Sequence, residues 1–423
     1  MTVNGVTLSS LHITRSADFF LRTRGSMQLM LVTSSIPVNI SGMRFCFLTT
    51  FCAFALTSSG QAETTPDLPR QIAIIQAVGT EGMGNREAAA AFQKLSHAEP
   101  SSLLPLLKAV EPSNAIARNW LRSAIEVIAE RATTEGRPLP LNALRDFLND
   151  REQSPEARRL AFELMLTIDR DTTEGMIPSF IDDPSNELRR DAVSQILVRA
   201  KKQLAGSDEA ATQTYRQALD AARDVDQIQE IAKAFTEMGL EIDLQKHFGF
   251  LTNWKVVGPF HNLERAGFAE KFAPEENLKL DATYTGKDSV VAWQPLSTSD
   301  PYGKVDLNKP YGKLKEVTAY AYHEFDSGKT QEVELRLGCK NAWKLWLNGE
   351  LVFGRDEYHR GQRIDQYKMP VTLQKGPNSI LLKLCQNEQK QDWTVQWEFQ
   401  LRVCDSTGTA VLATNRPAPN SSK

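Results

Sequence analysis

The sequence is poor in cysteine and lacks long apolar runs. Only 5 of its 423 residues are cysteine, and none lies in a CxxC or CxxCH motif, which excludes the usual thioredoxin-like and c-type haem signatures. No run of about 18 apolar residues occurs, so we expect no transmembrane segment in the mature protein. The formal net charge is only −3, from 49 basic and 52 acidic residues. Without an excess of basic residues, the chain is not expected to bind nucleic acid.

Common catalytic and cofactor motifs are also missing. The sequence contains no HExxH, GxSxG or GxxxxGKS/T motif, and no histidine has a second ligand at metal-binding spacing. A glycoside hydrolase needs two carboxylates that converge across a cleft, and nothing in the sequence nominates such a pair. The sequence therefore predicts no catalytic or metal-binding residue, and it leaves open whether the protein is an enzyme.

A candidate signal peptide begins well inside the chain, at residues 43–62. Met43-Arg44 is followed by the apolar stretch 45–56 and by the small residues Gly60 and Ala62, which is the order found in secretory leaders. We expect translation to start at Met43, so that residues 1–42 are not part of the mature protein; the alternative is an unusually long leader or a disordered tail. The mature protein is then exported, to the periplasm or the medium.

Export permits disulfides, but only three cysteines follow the predicted leader. They are Cys339, Cys385 and Cys404. They can form one intramolecular bridge at most, and buried free thiols are the alternative.

The rest of the chain divides near residue 250 into two parts of different periodicity. Its composition is that of an ordinary soluble protein, 41% hydrophobic and 24% charged. Six of the 7 tryptophans and seven of the 8 tyrosines follow residue 250. We expect a linker at 63–84, an all-α domain at 85–245, a hinge near 239–253, an all-β domain at 251–408 and a disordered tail at 409–423.

The all-α part contains repeated segments. They read SNAIARNWLRSAIEVI (113–128), SPEARRLAFELMLTI (154–168) and SNELRRDAVSQILV (185–198), and they align on Arg118, Arg158 and Arg189. Each has a serine turn, an early basic residue and an apolar stripe at helical spacing. This pattern resembles HEAT repeats, which implies an α-solenoid. A single repeat cannot bury its apolar face alone, so neighbouring repeats must stack. We expect the concave surface of the resulting solenoid to contact a protein partner.

The all-β part shows period-two alternation with turn residues every eight to twelve positions. Asn348-Gly349 between two apolar runs predicts a type I′ hairpin turn. The ordered series WKVVGPF (254–260), AYAYHEF (319–325), WKLWLNGELVF (343–353), LQKGPNSILLKLCQ (373–386) and WTVQWEFQLRVCDSTG (393–408) resembles the galactose-binding-like β-sandwich. The resemblance implies an antiparallel jelly roll, and a structural calcium ion whose ligands the sequence does not identify; no other cofactor is expected.

The loop 354–368 is the first candidate ligand-binding site, because forked polar side chains and aromatic faces are what a sugar surface requires. Its candidate residues are Arg355, Tyr358, His359, Arg363 and Asp365. The alternative is a solvated loop whose charges neutralise one another.

A second candidate is the repeated Pro-Tyr-Gly motif, which carries Tyr302 and Tyr311. The alternative there is that these tyrosines only cover the end of the sandwich. We expect the tryptophans of the all-β part to be core residues, Trp343, Trp346 and Trp393 among them.

Two functions of different classes remain open. The first is an exported, non-catalytic binding or scaffold protein, with the solenoid for protein contacts and the sandwich for a glycan or another extracytoplasmic ligand. The second is an accessory part of a carbohydrate-active enzyme, with hydrolysis in this chain or an associated one.

Overall fold

A computed structural model describes residues 67–111 and 113–416 of the protein. The predicted leader at 43–62 and the segment 1–42 lie outside the described residues. The described residues belong to one compact unit. None of their helices combines the length and the apolar character that a bilayer-spanning segment requires.

The first half of this unit is helical. Its helices are α1 (Leu68–Gln76), α2 (Asn85–Leu95), α3 (Leu103–Val110), α4 (Ala115–Thr134), α5 (Leu141–Asn149), α6 (Pro155–Ile168), α7 (Arg170–Glu174), α8 (Asn186–Leu204), α9 (Asp208–Ala221), α10 (Val225–Glu237) and α11 (Leu244–Phe248). Serine and asparagine caps fix several starts. For example, the side chain of Ser154 accepts from the N–H of Ala157 at 3.1 Å.

The predicted linker at 63–84 is corrected by the structure, because it contains α1. Asp67 caps this helix by accepting from the N–H of Arg70, and a proline stands in its first turn. Ile75 is fully buried in the first helical core. The segment is therefore part of the fold and not a connector.

A buried ion pair joins successive repeats of the helical part. Both Nη atoms of Arg158 donate to the carboxylate of Asp183, at 2.8 and 2.7 Å, and each residue is 1% exposed. Nε of Arg189, the aligned residue of the next repeat, donates to the Asp183 carbonyl at 2.7 Å. The aligned arginines Arg158 of α6 and Arg189 of α8 thus both bind Asp183, in the turn before α8.

The second half of the unit is built from antiparallel strands. They are β1 (Asn253–His261), β2 (Thr283–Thr285), β3 (Val290–Ala292), β4 (Gln294–Ser297), β5 (Val305–Asp306), β6 (Val317–Ser327), β7 (Gln331–Cys339), β8 (Trp343–Leu347), β9 (Glu350–Arg355), β10 (Tyr367–Leu373), β11 (Gly376–Gln386) and β12 (Glu398–Cys404). Two short helices, α12 (Ala273–Glu276) and α13 (Asn308–Tyr311), lie between strands.

The strands form two main sheets that share one apolar core. A six-stranded sheet has the order β4-β1-β6-β11-β8-β9 and a four-stranded sheet the order β10-β7-β12-β5, while β2 and β3 pair separately. Val256 and Leu382 of the larger sheet and Leu335 and Leu401 of the smaller sheet belong to the same buried cluster. The antiparallel sheets that the sequence predicts are therefore confirmed.

The hairpin between β8 and β9 confirms the Asn-Gly turn. Asn348 and Gly349 have φ angles of 52° and 84°, as a type I′ turn requires at both central residues. Trp346 pairs with Leu351 across this hairpin and is 9% exposed, while Trp343 is fully buried. Both are core residues, as expected.

The three cysteines that follow the predicted leader are buried free thiols. The predicted disordered tail also needs correction in its first part. The N–H of Val411 donates to the Val403 carbonyl at 3.0 Å, and the N–H of Thr414 to that of Asp326 at 2.9 Å. Residues 409–416 thus pack against the sheets; residues 417–423 lie outside the described residues.

The expected hinge at 239–253 is packed against both halves. Phe248 and Phe250 belong to the buried cluster that contains side chains of α8, α9 and α10. On the other side, the N–H of Leu251 donates to the Leu401 carbonyl at 2.9 Å, and Nη1 of Arg402 donates to the Phe248 carbonyl at 3.1 Å. The junction therefore shares a core with the helices and hydrogen bonds with the sheets.

Replacing Phe248 by alanine tests this junction. The side chain is 1% exposed, so Phe248→Ala should lower the free energy of unfolding by about 3–5 kcal/mol. Denaturant unfolding followed by far-UV circular dichroism and by tryptophan fluorescence measures the loss. Because the helices and the sheets share this junction, the two signals should change at the same denaturant concentration.

The control is Phe353→Ala, because Phe353 is 44% exposed and should lose much less than Phe248. Two well-separated transitions in the unmodified protein, with Phe248→Ala affecting neither, would contradict a shared junction core.

Candidate functional site

The loop 354–368 does not present its polar residues as one set, because Asp365 faces inward. Its carboxylate accepts from Nε and Nη2 of Arg402, at 2.7 and 2.6 Å, and from Nη1 of Arg336 at 2.8 Å. Burial opposes the charged form of Asp365, but the hydrogen bonds and charges of Arg402 and Arg336 outweigh burial and lower its pKa. Asp365 is corrected from a candidate ligand contact to a structural ion-pair partner.

Tyr358 is half-buried, whereas a stacking platform would need an open face. Its hydroxyl accepts from Nδ2 of Asn262 at 3.1 Å, and the guanidinium of Arg265 lies over its ring at 5.3 Å from the centroid. Arg265 is held in turn by Glu388, with Nε 3.2 Å from Oε2. One face of the Tyr358 ring is therefore covered by Arg265, and the tyrosine packs against the rest of the protein instead of presenting an open face to a ligand.

His359 joins this loop to a second one. Its Nε2 lies 2.7 Å from Oδ1 of Asn387, and its ring packs edge-on against Trp393, with centroids 5.4 Å apart. Burial is the main cause of its lowered pKa, so the imidazole is biased toward its neutral form. His359 fixes the position of the neighbouring aromatic residue.

Arg355 and Arg363 are both exposed. Arg355 lies over the Phe353 ring and 3.8 Å from Glu357. Among the described residues, the guanidinium of Arg363 has no hydrogen-bond or ion-pair partner. Of the five loop candidates, these two arginines face solvent most fully.

The second candidate pair, Tyr302 and Tyr311, packs inward. The Tyr302 ring lies 6.2 Å from that of Phe248 and belongs to the junction core. The Tyr311 ring lies 5.8 Å from Trp397, and burial raises the pKa of its hydroxyl well above the usual value. These residues cover the core, which is the alternative that the sequence left open.

Trp393 is the main residue that sequence reasoning missed, because it is 57% exposed and not part of the core. It stands in a 3-10 turn, Asp392–Thr394, and β12 begins only at Glu398. The hydroxyl of Thr394 lies within hydrogen-bond distance of the carbonyls of Gln389 and Gln391, at 2.8 and 2.7 Å, and its one hydrogen links it to this turn. The polar run immediately before Trp393, residues 387–392, is the signal that could have marked a loop.

A groove begins at Arg360, the residue that follows His359. It has a volume of about 510 Å³ and is lined by Glu357, Arg360, Gly361, Gln362, Arg363, Gln366 and Tyr367. Lys340 connects this groove to Trp393. Its carbonyl accepts from the N–H of Arg360 at 3.0 Å, and its Nζ donates to the Trp393 carbonyl at 2.7 Å. We call the surface formed by Trp393, His359, Lys340 and this groove the Trp393 surface.

Several buried polar atoms beneath the Trp393 surface lack partners within the described residues. They are Oδ1 of Asn262, Nδ1 of His359, Oε1 of Gln362 and Nδ2 of Asn387. Most buried polar groups in proteins are hydrogen-bonded. Arg265 and His359 also have positive φ angles of 65° and 58°. Unpaired polar atoms and strained backbone concentrate at functional sites, so this end of the sheets is the best candidate site.

No cluster of three or more potential metal-ligating His, Cys, Asp or Glu side chains is found within residues 67–111 and 113–416. The calcium ion that the family resemblance implies stays a prediction without ligands.

Comparison with known proteins gives little further information. No family model matches the chain, and no curated protein matches it. Among solved structures, a β-glucuronidase from Ruminococcus gnavus, in complex with uronic isofagomine, aligns with 37% of this chain and 28% of its own, at 11% identity and a TM-score of 0.22. The GH31 α-xylosidase from Xanthomonas citri aligns with 36% and 17%, at 9% identity and a TM-score of 0.20. This chain therefore covers less than a third of either enzyme, and likeness at this level carries no argument about activity.

Replacing Asp365 by alanine should destabilise the protein, because it leaves the buried guanidinium group of Arg402 without an ion-pair partner among the described residues and leaves Arg336 with Glu334 alone. We expect Asp365→Ala to lower the free energy of unfolding by about 3–5 kcal/mol at neutral pH. The control Asp356→Ala, at an exposed position of the same loop, should change it by about 0.5 kcal/mol or less. Urea unfolding measures both.

The Asp365→Ala loss should depend on pH with a defined sign. Because the folded state lowers the pKa of Asp365, its stabilisation is complete above the unfolded value of about 3.9 and disappears as the pH falls through the folded pKa. Equal stability of Asp365→Ala and Asp356→Ala at pH 7 would show that the ion-pair arrangement is not formed.

Proposed function

We propose that the protein is an exported, non-catalytic binding protein whose sheets carry a glycan-binding site at the Trp393 surface. In this proposal the helical half is a HEAT-like α-solenoid that contacts a protein partner. The strand half is a galactose-binding-like jelly roll, and export depends on the predicted leader at 43–62.

Stacked helices and paired arginines support the solenoid part of the proposal. The Arg158–Asp183 pair joins neighbouring repeats in the way that a stack of helix pairs requires. A groove of about 400 Å³ between α4 and α6 offers a place for a partner. Ile125, Ala129, Leu160 and Leu164 are among the side chains that line it.

The exposure of Trp393 is the observation that carries the glycan proposal. An indole that is 57% exposed leaves a large apolar face in water, and such faces stack on the C–H face of a sugar ring. His359 and the turn at 392–394 hold the indole in place, which lowers the entropic cost of binding. Arg360, Gln362 and Arg363 in the adjoining groove supply donors for sugar hydroxyls.

Removing the indole tests this function. We expect the unmodified protein to bind a matching polysaccharide with a dissociation constant between millimolar and tens of micromolar, about −4 to −7 kcal/mol. Trp393→Ala should abolish its retardation in affinity electrophoresis across a polysaccharide panel, while the melting temperature stays within about 2 °C because the side chain is exposed.

Two controls separate stacking from general effects. Met83→Ala removes an apolar side chain that is 66% exposed in the helical half and should bind normally. Trp346→Ala removes a core residue and should cost about 3–5 kcal/mol of stability. If the unmodified protein binds no member of the panel, the glycan proposal is wrong and the helical half becomes the place to look for ligands. Release of oligosaccharides, detected by mass spectrometry, would instead favour the enzyme-associated alternative.

A further inference from the structure

The Trp393 surface carries an excess of positive charge, although the chain as a whole has a net charge of −3. Its basic side chains are Lys340, Arg360 and Arg363, and its acidic side chains that reach solvent are Glu357 in the groove and Asp392 directly before Trp393. Two further carboxylates are already paired, Asp365 with Arg336 and Arg402 and Glu388 with Arg265.

Two of the basic groups lack an acidic partner among the described residues. Nζ of Lys340 donates only to neutral oxygens, the carbonyl of Trp393 and Oε1 of Gln396. The guanidinium of Arg363 faces the groove and makes no ion pair. By contrast, Arg355 and Arg360 share one carboxylate, that of Glu357, at 3.8 and 3.3 Å.

We infer that the glycan bound at the Trp393 surface carries carboxylate groups, as in a polyuronate, and that Arg363 and Lys340 recognise them. The inference depends on the proposed glycan-binding function. A guanidinium fork matches the two oxygens of a carboxylate, and Arg363 has no ion-pair partner among the described residues. One sugar ring stacked on Trp393 would place its neighbours in the polymer over the groove.

A matched pair of polymers tests the inference directly. Polygalacturonate and the same polymer after reduction of its carboxyl groups to hydroxymethyl groups differ only in charge. We expect the full-length mature protein to bind polygalacturonate at least tenfold more tightly in isothermal titration calorimetry at low salt. The preference should shrink as the salt concentration rises from about 0.02 to 0.5 M, because exposed charges are screened.

The variants distinguish a defined site from general attraction of a polyanion. Arg363→Gln should weaken binding of polygalacturonate about fivefold, the size expected for one exposed ion pair. It should weaken binding of the reduced polymer much less, because the glutamine amide can still donate to hydroxyl groups. The control Arg216→Gln removes a second exposed arginine, on α9, and should leave both affinities unchanged. Trp393→Ala should weaken binding of both polymers.

Each remaining outcome contradicts a specific statement. Equal affinity for the two polymers would overturn the carboxylate preference and leave the glycan function standing. Equal losses in Arg363→Gln and Arg216→Gln, with none in Trp393→Ala, would show non-specific attraction and overturn the inference. Binding of neither polymer, while a neutral polysaccharide of the panel binds, would overturn the inference alone; binding of no polysaccharide would overturn the proposed function as well.

Discussion

A buried carboxylate, Asp365, holds together the parts of the molecule on which the candidate site depends. It binds Arg336 on β7 and Arg402 on β12, and Arg402 also donates to the carbonyl of Phe248 in α11. One ion cluster therefore connects the loop 354–368, the smaller sheet and the end of the helical half. Without it, the buried guanidinium of Arg402 would have no ion-pair partner among the described residues and Arg336 would keep only Glu334, at a cost of several kcal/mol. Among the helices, Asp183 has the same role, because it accepts hydrogen bonds from both Arg158 and Arg189.

The Trp393 surface follows from this anchoring. Because Asp365 faces inward, the exposed charges of its loop are mostly basic. His359 and Lys340 contact Trp393 and its turn. These contacts fix the position of the indole while it remains exposed. An aromatic face beside unpaired cations suits a flat, hydrated and acidic ligand better than an apolar one.

Local features of the structure were predictable from the sequence. Helix α6 spans Pro155–Ile168 and coincides with the repeated segment 154–168, because a serine cap and an early proline fix its start within a few residues. The Asn348-Gly349 turn was predictable for the same reason, since both residues must take positive φ. Helix α1 was missed because its segment was interpreted as a linker, although Asp67, a proline and an apolar residue every three or four positions were present.

The candidate site was only partly predictable, because its geometry depends on distant partners. Asp365 lies 29 and 37 residues from the two arginines that bind it, and nothing in the loop indicates which acid faces inward. Tyr358 is covered by Arg265, which is farther away still. Trp393 was expected to be a core residue of the all-β part, but it stands in the turn at 392–394, and the strand begins only at Glu398.

The central claim is that a ligand stacks on Trp393, and nuclear magnetic resonance of the tryptophan side chains measures this most directly. The Trp393 side chain is exposed, while Trp343 and Trp397 are buried and serve as internal references in the same spectrum. On titration with galacturonate oligosaccharides, the account predicts a saturable shift of the Trp393 indole signal and almost none for Trp343 and Trp397. An unchanged Trp393 signal at oligosaccharide concentrations that shift other resonances of the protein would contradict it.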